Sequence, residues 1–192
     1  MPGKTNNNGN IYVGLVHYPV YDKNKNIVAT AVTTVDIHDI ARSAKTFDVG
    51  GFYVITPLES QNQLVQRVLR HWVEGTGAMY NPTRQAALSL VKVEESMEGV
   101  IGDISGHWKS RVKVVATGAR SQRGNIGYQQ LKEILSEAPH PFLLLFGTGW
   151  GLTEEVMRNC DYILAPIEGS HYNHLSVRSA AAIILDRLLG RG

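Results

Sequence analysis

The chain has 192 residues, of which 43% are hydrophobic and 19% charged, and its formal net charge is +2. That is the composition of a folded domain with its own core; it excludes a disordered or low-complexity chain, and a charge so small permits a nucleic-acid partner without demanding one. A single cysteine, Cys160, excludes an intrachain disulfide and a four-cysteine zinc site and points to a reducing compartment. No apolar run approaches the roughly 18 residues of a membrane span, and Met1–Gly9 lacks the apolar centre of a signal peptide. The expectation is a cytoplasmic protein with no membrane partner: a flexible tail over 1–10, then one domain over 11–192.

Ile11–Val16 is apolar and β-branched and reads as the first strand; Ile27–Thr34 reads as the second. Asp36 or Asp39 is placed to cap a helix whose apolar face is Ile37, Ile40, Ala41, Ala44 and Phe47, with Arg42 off that face. Gly50-Gly51 breaks the chain before a strand at Phe52–Ile55. Thr56-Pro57 then opens a helix with the stripe Leu64, Val65, Val68, Leu69, Trp72 and Val73. A short helix follows Asn81-Pro82, a strand covers Ser89–Val93, and the next helix buries Met97, Val100, Ile101 and Ile104. Three more strands, Val112–Ala116, Phe142–Phe146 and Tyr162–Ile167, each run into a loop of small residues. Helices follow them at Ile126–Ser136, from Thr153, and from Leu175. Strands alternate with helices throughout, so the fold class is α/β, a mainly parallel sheet with helices on both faces.

In such sheets ligands bind where strand ends and helix amides converge, which directs attention to the loops after Ala116, Phe146 and Ile167. Their chemistry is small residues and main-chain amides with few charges, suited to an adenosine held by backbone hydrogen bonds. A triphosphate fits poorly: the chain has no GxxxxGK[ST], and Phe146–Leu152 contains no lysine or arginine. Gly147, Gly149 and Gly151 lack the final spacing of GxGxxG, and Ile11–Val35 contains no such motif. This weighs against a nicotinamide-dependent oxidoreductase. The bland alternative for these glycines is tight strand-to-helix turns.

His17, His171 and His174 are the candidate acid–base groups. His171 and His174 are spaced i, i+3 without an HExxH or cysteine partner, so no metal is expected. Asp36, Asp39 and Arg42 cluster at one junction, either as a helix cap with a solvated arginine or as a carboxylate and a fixed cation. Lys109, Arg111, Lys113, Arg120 and Arg123 surround the first loop, as solvated surface or as phosphate contacts.

Three segments resemble the SPOUT class of S-adenosylmethionine-dependent RNA methyltransferases. Asp36–Pro57 is similar to the first motif of that class, with Arg42 at the motif arginine; Leu143–Leu152 resembles the second; Ile163–Leu185 resembles the third. Thr117–Arg120 is similar to the loop that precedes motif two. The group it resembles is a small stand-alone one also found fused to a tRNA guanine-N1 methyltransferase. The resemblance implies a Rossmann-like sheet with a C-terminal deep trefoil knot and a homodimer. It also implies S-adenosylmethionine as cofactor and tRNA or rRNA as partner. The implied cofactor residues are Thr117, Gly118, Phe146, Gly147, Thr148, Gly151, Ile167, Ser170, Asn173, Leu175 and Ser176, and the implied catalytic residues are Arg42, Asp36 and His174. Asp36 stands where the ribose 2′-O-methylating members carry Asn, His174 stands where they carry another Asn, and the motif-two Glu is absent. Fold and cofactor therefore transfer, whereas the choice between ribose and base stays open. The alternative is a catalytically weak dimer that serves as an RNA- or partner-binding module.

Overall fold

The computed structural model describes residues 8–121, 124–137 and 139–191. In chain order its elements are a 3₁₀ turn at Asn8–Asn10, then β1 (Ile11–Val16), β2 (Val20–Tyr21), β3 (Ile27–Val28), α1 (Thr34–Thr46), β4 (Gly51–Ile55) and α2 (Glu59–Leu69). A π-helical turn at Arg70–Glu74 leads to α3 (Thr76–Tyr80), α4 (Pro82–Leu88), β5 (Val91–Glu94), α5 (Met97–Trp108) and β6 (Lys113–Ala116). The chain closes with α6 (Tyr128–Glu137), β7 (Phe142–Gly147), α7 (Glu154–Arg158), β8 (Tyr162–Ile163) and α8 (Val177–Leu189).

The sheet has six strands in the order β5-β4-β1-β7-β6-β8, and every pairing in it is parallel. A parallel sheet covered on both faces needs apolar residues at every position, which is why β1, β4 and the first five residues of β7 are buried throughout. Alternate residues serve two cores. Ile11, Val13 and Leu15 of β1, with Phe142, Leu144 and Phe146 of β7, pack with α1, α6 and α8. Tyr12, Val16, Leu143 and Leu145 pack on the other face with Val100 and Ile104 of α5 and Val156 and Met157 of α7.

Helix starts are set by short polar caps: Thr33, Asn81, Ser96, Thr153 and Ser176 each accept a first-turn N–H, and Asn81 is followed by Pro82. The cap of α1 is therefore Thr33, not Asp36 or Asp39. Asp36 sits at the third helical position and accepts the Thr33 hydroxyl at 2.6 Å. The expected second strand at Ile27–Thr34 shrinks to Ile27–Val28, paired antiparallel with Val20–Tyr21 in a small ribbon outside the main sheet. Asn8 and Asn10 donate to the carbonyls of Phe47 and His140, fastening three residues of the expected tail to the body. Tyr162–Ile167 is a strand only at its first two residues, and the final helix begins at Val177 behind Ser176.

Because all six strands run the same way, their C-terminal ends share one edge. The loops after β1, β4, β6, β7 and β8 all emerge there.

Candidate active site

The loop after β7 is seated by short polar bonds. The Thr148 N–H and hydroxyl both donate to the carbonyl of Val16, at 3.1 and 2.9 Å. The Thr148 oxygen lies 2.5 Å from the Thr30 hydroxyl, which in turn is 2.9 Å from Nδ1 of His17. The three side chains form one continuous chain of polar contacts from β1 to the loop after β7, and the Thr30 hydroxyl also reaches the His17 carbonyl at 3.5 Å. Nε2 of His17 is buried with no partner among the described residues. Only 1% of His17 is exposed; burial pushes its pKa down to about 4 against the opposing pull of the nearby Asp36 carboxylate, keeping the ring neutral at physiological pH.

The ribbon β2–β3 is laced to the same loop. Tyr21 N–H donates to Gly151 and Trp150 N–H donates back to Tyr21. Gly149 has φ +57°, and a Cβ on it would meet the Tyr21 carbonyl oxygen at 2.8 Å, so this glycine is required by a close approach. Gly147 is similarly constrained, since its Cβ would lie 2.6 Å from the Leu152 nitrogen.

The loop after β6 is fixed by Thr117, whose N–H and hydroxyl both donate to Leu145 O. It then runs beside the loop after β8. Ile126 N–H donates to Ile163 O, Ala165 N–H donates to Ile126 O, and the Asn173 amide donates to Ala119 O at 2.8 Å. Ser176 caps α8, and Leu175 is 41% exposed beside it. Ser170 and His174 are exposed; the His174 ring stands edge-on to Tyr172 at 5.5 Å. Phe146 differs from the others: its side chain belongs to the core, leaving only its backbone to face the edge.

Asp36 is almost fully buried and has both oxygens engaged, one by Thr33 and the other by Arg178 of α8 at 3.2 Å; Arg178 also reaches Asp39 at 3.5 Å. Motif one and motif three thus meet through an ion pair. Arg42 stands apart, exposed on α1 and without an ion-pair partner among the described residues. Sequence reasoning missed Arg178 and Thr30. Arg178 carried a signal, because a cation in the first turn of a helix opposes the macrodipole and calls for a tertiary anion. Thr30 carried none.

The basic group around the first loop is partly spent: Arg111 and Lys113 both pair with Asp161, at 2.8 and 2.9 Å. Arg123 lies outside the described residues. The Cys160 thiol is half-buried, donates to Val156 O and has its pKa raised to about 11 by burial and the Asp161 charge, as a packing residue should. Among the described residues no three His, Cys, Asp or Glu side chains gather, and no helix is long and apolar enough to cross a membrane.

The family model that describes S-adenosylmethionine-dependent RNA methyltransferases matches residues 10–190. The chain belongs to that family. A tRNA (guanine-N(1)-)-methyltransferase of Oleidesulfovibrio alaskensis is 48% identical over 182 residues, 94% of this chain, which spans 42% of that relative's length. An uncharacterized protein of Aquifex aeolicus is 39% identical over 96% of the chain and 90% of its own length. Among solved structures, the SpoU methyltransferase AviRb of Streptomyces viridochromogenes superposes with a TM-score of 0.56 at 19% identity. That match covers 93% of this chain and 58% of AviRb. The fold is that of the SPOUT methyltransferases.

The family's cofactor is S-adenosylmethionine, and two glycines test whether the loops suit it. Gly118 has an ordinary φ, and a Cβ there would meet nothing nearer than Met157 Cε at 3.9 Å; a Cβ on Gly151 would meet nothing within 4 Å. Neither glycine is needed for packing, and only Gly151, at φ +99°, is needed for conformation. Both leave open space beside main-chain amides on adjacent loops. With the apolar Ile167 and Leu175 and few charges, this donor set fits an adenosine.

Proposed function

We propose that the protein transfers a methyl group from S-adenosylmethionine to a nucleotide of tRNA or rRNA in the cytoplasm. The observation that carries this is the convergence of the three loops on one sheet edge, with open space at Gly118 and Gly151. A solved structure of AviRb is a complex with the cofactor AdoMet, which supports the choice of cofactor.

Thr117, Gly118, Phe146, Gly147, Thr148 and Gly151 present main-chain groups from two loops. Ile167, Ser170, Asn173, Leu175 and Ser176 close the third side. When bound, the cofactor supplies an electrophilic methyl; the chain's own work is to align a nucleophile with it and exclude water. Arg42, an unpaired cation, steers developing negative charge or an RNA phosphate. Asp36 is a candidate base for a ring nitrogen, and its bond to Arg178 fixes where it points. His174 lies on the third loop as a proton acceptor. The reading includes no resident metal.

We further propose that 11–192 is one domain whose C-terminal segment is threaded through a loop as a trefoil knot, and that two copies pair to complete the site. What supports the knot is the path of the chain. From β8 at the sheet edge it passes against Ile126 and returns as α8 to pack on α1, α6 and β7. Support for the pairing is the half-buried run Ala180 and Ala182 on α8.

Calorimetric titration with S-adenosylmethionine, followed by transfer of tritiated methyl into unfractionated tRNA and rRNA, tests the reading. One site per protomer and label in RNA are expected. No cofactor binding would favour the RNA-holding module and reduce the three loops to tight turns.

A further inference from the structure

We propose that the cleft between α2 and the β5–α5 turn is a second nucleotide subsite, which takes a guanosine monophosphate unit of the substrate RNA adjoining the one that is modified. The cleft has a volume of about 760 Å³ and is lined by Asn62, Gln66, Arg67, Arg70, Glu94 and Glu95, among others. That is the size of a small-ligand pocket. It opens on the same edge as the cofactor loops, because Glu94 ends β5 and all strands are parallel. It is nevertheless a separate place. β4 and β1 lie between β5 and β7, which puts it three strand spacings, roughly 14 Å, from the Gly147 loop.

Its chemistry selects a nucleotide. Arg67 and Arg70 are exposed, lie one turn apart on one helix face, and have no ion pair among the described residues, so two cations remain for a phosphate. Asn62 Oδ1 is buried without a partner among the described residues and calls for an N–H donor. Glu94 and Glu95 add carboxylate acceptors, and Gln66 supplies an amide donor. Guanine alone of the four bases has two adjacent N–H donors on its pairing edge, next to a carbonyl that an amide satisfies. The cleft is also tied to the reaction site: Gln61, in the first turn of α2, accepts from Val32 N–H at 2.6 Å, one residue before the Thr33 cap.

This inference rests on the reading that the chain acts on RNA. Ligand-observed NMR titration with guanosine 5′-monophosphate and the adenosine, cytidine and uridine monophosphates reads the cleft directly, with calorimetry of S-adenosylmethionine in parallel. The guanosine nucleotide is expected to bind at least about fivefold more tightly than the others, undisturbed by saturating cofactor. Asn62→Leu, and Arg67→Ala with Arg70→Ala, should each weaken it about fivefold or more and leave cofactor affinity within about twofold. Gln66→Leu on the exposed rim takes the place of Asn62→Leu if thermal denaturation shows that the latter does not fold. Equal or absent binding of all four nucleotides, competition with the cofactor, or affinity unchanged in every variant overturns the subsite. Nucleotide binding that maps to the cleft in a protein that binds no cofactor leaves the subsite standing and removes the methyltransferase reading; the reverse removes the subsite alone.

Discussion

His17 is a titratable side chain held almost entirely out of water. Its folded pKa of about 4 lies below the ordinary 6.5, so between those values the unfolded chain binds the extra proton. Stability from this group is complete above about pH 6.5 and is lost as pH falls toward 4. Urea denaturation should show a loss of roughly 2 kcal/mol from His17 between pH 7.5 and pH 5. In His17→Gln the slope should flatten by about that amount. Arg42 is the opposite case, exposed and without an ion-pair partner among the described residues. Arg42→Ala should keep the melting temperature and cofactor affinity while lowering methyl transfer by about 100-fold. Unchanged turnover would remove it from the reaction. Asp36→Asn separates two roles at one position: a base role predicts lost turnover, whereas full turnover leaves Asp36 as the anchor of Arg178 and the partner of Thr33. The sequence showed Asp36 and Arg42 together but not that α8 supplies Asp36 with a cation, since that contact joins residues 142 positions apart.

At the scale of elements, the ribbon β2–β3 and the loop after β7 behave as one unit held by Tyr21, Trp150 and Gly151. Gly149→Ala places a methyl against the Tyr21 carbonyl at a left-handed φ. It should cost about 2 kcal/mol and, by loosening Thr148, weaken cofactor binding together with stability. Gly118→Ala fills open space at an unstrained backbone, so it should weaken the cofactor about tenfold with no change in melting temperature. Calorimetry and thermal denaturation of both variants separate packing glycines from binding glycines. Helices were legible from apolar stripes and from starts such as Asn81-Pro82 and Thr153, whereas the caps Thr33, Ser96 and Ser176 were not. Ile27–Thr34 misled because it is rich in β-branched residues like a strand, yet the N–H groups of Thr30 and Val32 are taken by His17 O and the Gln61 side chain rather than by a neighbouring strand. Nothing local announces that competition.

For the whole molecule, the alternation of strands and helices was enough to predict a parallel sheet, and burial on both faces follows from continuous runs such as Phe142–Phe146. Strand order was not legible, because period-2 patterning says which face a residue serves and not which strand lies beside it. Sedimentation equilibrium should give twice the chain mass, and a variant with Ala182→Arg on α8 should sediment as a monomer with methyl transfer lost. The position of β1 has a further consequence for synthesis. β1 precedes the other strands of this sheet in the chain, yet it lies in the middle of the sheet, between β4 and β7. Its partner Phe142 is translated 131 residues after Ile11. At ribosomal speeds of about 5–20 residues per second, one edge of β1 waits roughly 7–26 seconds for its neighbour. During that interval the nascent chain carries an apolar strand with one flank open, and the sheet closes only when β7 emerges to fill the place between β1 and β6.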